Sequence, residues 1–178
     1  MIKKSPPVLA DAVIVIGAHE QMYWEFLCNS YKIGIPATIL EDEVFYFQRQ
    51  DRKHGLTPSE WVKEGKVARL EAGLEDYEKL NHLLSKNFMD TLDPGEQEAL
   101  ALLGSSKHKG YLFCTADKAA IRALGVLGWR ERGISVETLL KRAGRSEALL
   151  KRLPYHFSEK WFNNSLQEGF AERHLWLN

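Results

Sequence analysis

The residues of this 178-residue chain best suited to chemistry are carboxylates that stand where strands end and helices begin. Glu96 follows Asp93-Pro94-Gly95 at a helix start, Asp117 follows an apolar strand and Thr115, and Glu41-Asp42-Glu43 precedes Val44-Phe45. Converging carboxylates are costly to bury unless a cation neutralises them, so such sets commonly hold Mg²⁺ or Mn²⁺. Two such ions can activate water and stabilise the leaving oxygen in phosphoryl transfer. Each acid also has a plainer reading. Glu96 suits the positive end of a helix dipole, Asp117 suits an N-cap, and the 41–43 run suits a solvated helix start. A cap at a strand end still faces the cleft beyond the sheet, so both readings can hold for Asp117.

The elements that must position these groups follow from periodicity. Residues 12–16 form a β-branched apolar run closed by Gly17, which predicts a strand buried on both faces and hence a parallel sheet covered by helices. His19 and Glu20 then follow that strand, as a structural histidine and a helix-start charge or as site residues. Residues 20–31 have helical spacing that ends at Gly34. Residues 35–40 read as a short strand or a helix entry, residues 41–50 as a helix, and 48–55 as a charged surface loop. Thr57-Pro58-Ser59-Glu60 is a helix start, and residues 67–84 carry a helical pattern. Asp93 caps a helix reaching Gly104. Residues 111–114 form a second buried strand, and helices follow over 118–127 and 137–143. Residues 145–178, rich in aromatics, form a helical extension that docks on the domain or serves as a partner-binding arm.

Composition is that of an ordinary globular domain, 44% hydrophobic and 27% charged. Twenty-four basic and 24 acidic side chains give zero net charge, so any contact with phosphates must be local. Cys28 and Cys114 fit no metal spacing and read as buried free thiols. The basic lead Met1-Ile2-Lys3-Lys4 is followed by no signal-like apolar stretch, and no segment is long enough to span a bilayer. A cytoplasmic, membrane-free protein is therefore expected.

Residues 92–102, opening on Leu92-Asp93-Pro94-Gly95-Glu96, followed by Leu112-Phe113-Cys114-Thr115-Ala116-Asp117-Lys118, resemble the second half of a PIN domain. The likeness extends over roughly residues 12–143, including Gly133-Ile134-Ser135-Val136. It implies a three-layer α/β/α sandwich with a short, mainly parallel central sheet over residues 1–144, plus the C-terminal extension over 145–178. It also implies a Mg²⁺- or Mn²⁺-dependent ribonuclease of toxin–antitoxin type. Glu96 and Asp117 match the family's metal-binding acids, Glu43 or Asp42 the acid of the second helix region, and Thr115 the hydroxyl that orients the site. The family's first aspartate falls on Gly17, with His19 or Glu20 as substitutes, and Glu137 is the nearest match for a fourth acid. Lost chemistry would leave an inactive module binding RNA or a protein partner. Lys109, Lys118 and Arg122, with Lys107, Arg130 and Arg132, form a phosphate-binding rim or are scattered surface cations. RNA, an antitoxin-like protein or a second copy of the chain are the expected partners. The five tryptophans read as core or interface anchors.

Overall fold

The computed structural model describes residues 5–178, so the first four residues of the basic lead lie outside it. Five parallel strands form the central sheet: β1 (Val8–Ala10), β2 (Ile33–Pro36), β5 (Val67–Leu70), β6 (Leu112–Cys114) and β7 (Gly133–Ile134). Their spatial order is β5-β2-β1-β6-β7. The chain winds outward from β1 on one side, then returns to place β6 on the other. The crevice beyond the carboxyl ends of β1 and β6 is thus the switch point, where such sheets bind ligands.

Alternation along β1 shows why the sheet has a layer on each face. Val8 and Ala10 join one buried cluster, with Ile14, Val15, Leu139 and Phe157, while Leu9 joins another with Leu100, Ile121 and Leu124. Helices α1 (Ala12–Glu20), α2 (Trp24–Ser30) and α8 (Val136–Arg142) supply the first cluster. The second takes α4 (Leu74–Leu83), α5 (Lys86–Met89), α6 (Pro94–Gly104), α7 (Lys118–Leu127) and α10 (Glu159–Ala171). The expected α/β/α sandwich with a parallel centre is the observed fold.

The first strand is displaced from its expected place. Residues 12–16 are helical, and the strand is the three-residue segment before them. Asp11 decides the switch: its Oδ1 accepts from the Ile14 backbone N–H at 3.0 Å and caps α1. The run over 12–16 is apolar because α1 is pressed between sheet and extension, a burial that helix and strand share. Gly17 therefore lies inside α1, where a Cβ would overlap the Phe157 ring.

Residues 41–50 do not form the expected helix. A single π-helical turn (Ile39–Glu43) leads into an antiparallel hairpin of β3 (Tyr46–Arg49) and β4 (Arg52–Gly55). The hairpin occupies the stretch expected to be a loop. Gln50 and Asp51 close it with both φ values positive, at 51° and 58°. A tight turn matched to strand twist requires this, and it is unusual without glycine. A short helix α3 (Pro58–Lys63) follows, and the helical pattern expected from 67 begins only at Leu74, because residues 67–70 pair with β2.

The extension after residue 144 comprises α9 (Glu147–Leu150), a 3₁₀ turn (Tyr155–Phe157), α10 and α11 (Arg173–Trp176). Helix α10 lies against α7 so closely that a Cβ on Gly125 would overlap the Leu166 carbonyl. One on Gly169 would overlap that of Arg122. Among the described residues no helix is long and apolar enough to cross a membrane.

Candidate active site

Three helices begin at the β1–β6 crevice, each with an aspartate at its cap. Asp11 caps α1, Asp93 caps α6 and Asp117 caps α7. The local chemistry explains each. Asp93 and Glu96 form a reciprocal box: Asp93 Oδ1 accepts from the Glu96 N–H at 2.8 Å, and Glu96 Oε2 accepts from the Asp93 N–H at 3.0 Å. Asp117 Oδ1 accepts from the Ala119 N–H at 2.7 Å, and its own N–H donates to Thr115 Oγ1 at 3.1 Å. Thr115 also lies close enough to the Asp11 carboxyl to favour its charged form.

Glu43 reaches the same place from the π turn. Its Oε1 lies against the backbone of Gly95 at the start of α6. A Cβ on residue 95 would overlap Glu43 Oε1 and the Ile39 side chain. Glycine there is what lets the π turn close onto the helix.

The electrostatic result is two buried acids, Asp11 and Glu96, beside the half-buried Glu43 and the exposed Asp93 and Asp117. Asp11 is 3% exposed, and burial pushes its carboxyl up from 3.8 to about 7. Thr115 and the Ile14 N–H oppose that rise, while Asp117 and Asp93 add to it. Glu96 is 5% exposed and is pushed up to about 9, first by burial and then by the nearby charge of Asp117. Glu96 therefore holds its proton at neutral pH. Burial and Asp93 raise Glu43 as well. Among the described residues none of the three enters an ion pair.

The structure brings together Glu96, Asp117, Thr115 and Glu43 as the sequence predicts, and adds Asp11 and Asp93. Asp42 lies in the π turn and acts on Glu43 through its charge. The other expected substitutes lie elsewhere. Glu20, at the far end of α1, accepts from the Gln48 N–H at 3.4 Å. His19 bonds the Val15 carbonyl at 2.8 Å and packs among Trp24, Trp61 and Phe47. Glu137 accepts from the Glu159 N–H at 2.7 Å and pairs with Lys141. Glu98, buried and unpredicted, accepts from the N–H groups of Thr38 and Ala72 and pins two loops.

The expected basic rim is not a free one. Lys118 pairs with Glu168 at 2.8 Å, and Arg122 pairs with Glu172, so the extension neutralises both. Lys109 precedes β6 and so lies at the amino edge of the sheet, opposite the acids.

Asp11 is the residue that sequence reasoning misses. The signal is the string Val8-Leu9-Ala10-Asp11, a short apolar run ending in an acid, and the longer run after it competes for the strand. No protein-family model, curated protein or solved structure matches the chain.

Proposed function

We propose that the protein is a PIN-like, Mg²⁺- or Mn²⁺-dependent ribonuclease whose site comprises Asp11, Glu43, Glu96 and Asp117. The observation that carries this reading is the convergence of four carboxylates at the sheet's switch point: Asp11 and Glu96 are buried, Glu43 is half-buried and Asp117 is exposed, and none of them enters an ion pair among the described residues. Burial of that kind is costly in a protein that never neutralises it, and a divalent ion is the natural counter-charge. The inactive reading rested on Gly17 occupying the first acidic position; with the strand at residues 8–10, Asp11 stands there.

The donor set fits a hard, water-retaining ion. Among the described residues no three Asp, Glu, His or Cys side chains form a ready-made cage. Mg²⁺ keeps several waters and needs only one or two carboxylates besides the substrate's phosphate oxygens. Asp11 and Asp117 would hold it, with Glu96 joining once its proton is lost and Glu43 acting through water. The ion would supply positive charge for the phosphate and a lowered pKa for attacking water. The chain's own residues do the rest: the caps of α1, α6 and α7 fix Asp11, Glu96 and Asp117.

The test is cleavage of a labelled single-stranded RNA with Mn²⁺ by wild type, Asp11→Asn and Asp117→Asn, purified identically. Either asparagine keeps a cap oxygen, so the fold persists while a ligand is lost. Cutting that vanishes in both variants and in EDTA is expected. Equal cutting by all three proteins, or none by wild type, would overturn the enzyme reading.

A further inference from the structure

The hairpin β3–β4 carries a local excess of positive charge. Between Phe45 and Leu56 stand Arg49, Arg52 and Lys53 against a single acid, Asp51, in a chain whose total charge is zero. None of the hairpin cations enters an ion pair among the described residues.

Aromatic rings are interleaved with these charges, and the register sorts them. Tyr46, Gln48 and Lys53 share one face, and Phe47, Arg49, Arg52 and His54 share the other. The second face is the anchor. Phe47 packs on His19 at 5.5 Å and stacks with His54 at 4.9 Å, and the Gln48 N–H reaches Glu20. The first face is open: Tyr46 is 46% exposed with Lys53 4.4 Å from its ring centre, and Phe45, at the base, is 55% exposed. Tyr46 follows Glu43 closely along the chain, within a reach of at most about 11 Å, so the hairpin starts beside the acids.

We infer that hairpin β3–β4, through Tyr46, Lys53 and Phe45 on its open side and the exposed Arg52 beside its turn, is the binding surface for single-stranded nucleic acid. Unpaired cations neutralise backbone phosphates, and exposed rings accept stacked bases. That pairing of chemistries favours a nucleic-acid strand over a protein, for which a row of free cations would be desolvated without compensation. The strand is taken to be the substrate of the carboxylate site, and to that extent the inference rests on the proposed function. It supplies what that site lacks, since a nest of carboxylates repels the phosphates it must meet.

The test is fluorescence anisotropy with labelled 12-nucleotide single-stranded RNA and DNA, in EDTA so that no cleavage intervenes. Wild type is compared with R52E/K53E, with Tyr46→Ala, and with the control K109E/K151E, whose cations lie off the hairpin. All four charged positions are exposed, and unchanged thermal unfolding confirms the fold. The expectation is binding of one or both strands, weakened tenfold or more in R52E/K53E. The salt slope should shrink by about 1.4, at roughly 0.7 for each phosphate left without its cation on a single strand. Tyr46→Ala should weaken binding about fivefold or more with its salt slope unchanged. Equal losses in the control, or none in R52E/K53E, overturn the inference. So does wild type ignoring both strands, which would assign the hairpin to a protein partner. Hairpin-dependent binding without cleavage in Mn²⁺ would sink the nuclease reading alone.

Discussion

Asp11→Asn should stabilise the metal-free protein, and the gain should depend on pH in a defined way. Folding moves Asp11 from water to a 3%-exposed position and raises its pKa from 3.8 to about 7. Between those values the unfolded chain has released a proton that the native protein still holds, so native stability falls as pH rises. At about 1.4 kcal/mol per unit of pH, the accumulated penalty is roughly 4 kcal/mol at pH 8, and near zero below pH 4. Asparagine is neutral throughout and can still accept from the Ile14 N–H, so it escapes the penalty and keeps the cap. Urea unfolding of both proteins in EDTA, from pH 4 to 8, reads the difference directly. The variant should match wild type at pH 4 and gain progressively up to about pH 7. Addition of Mn²⁺ at pH 8 should stabilise wild type and erase much of the gap. A variant no more stable than wild type at pH 8, or a gap independent of pH, would refute the electrostatic account.

Glu96 holds a proton that an ion must displace, so Mn²⁺ affinity measured calorimetrically should rise from pH 6 to 9 with proton release. Glu96→Gln should flatten the rise above about pH 7 and leave only the part that Asp11 contributes. Gly95→Ala drives a methyl into Glu43 and Ile39, and should cost about 1–3 kcal/mol by denaturant unfolding as well as reducing cleavage. Gly169→Ala meets the Arg122 carbonyl, which cannot yield as a side chain can. It should lower stability by about 2 kcal/mol or more, in the upper range for overpacking, while leaving strand binding intact.

The second half of the fold is legible because local signals there agree with one another. Asp93-Pro94-Gly95-Glu96 is a complete helix start, and residues 112–114 are apolar between a polar link and Thr115. Cap, strand and helix all point to the same register. In the first half they conflict. The run Ala12-Val13-Ile14-Val15-Ile16 has the β-branched character of a strand, yet packing on both sides makes it a buried helix, and the true strand is too short to show a period. A strand read over 12–16 ends at Gly17, whereas the strand over 8–10 ends at Asp11, so the acid at the strand end stays hidden in the sequence. The hairpin is hidden differently: Gln50-Asp51 lacks the glycine that marks such turns, and Arg49 to Lys53 reads as a charged loop. Asp93, Glu96 and Asp117 also do ordinary capping, so sequence alone shows the caps, and only the fold shows that they converge.

The strand order has a consequence for how the chain is made. β1 borders β6 as well as β2, with Val8 opposite Leu112, so one flank of the first strand stays unpaired until nearly two-thirds of the protein has emerged from the ribosome. Until then an apolar strand edge is available to any other extended chain nearby, the situation in which nascent polypeptides associate wrongly. The same delay separates Asp11 from Asp117 during synthesis. The mutually repelling carboxylates therefore meet only once enough of both hydrophobic layers exists to hold them together.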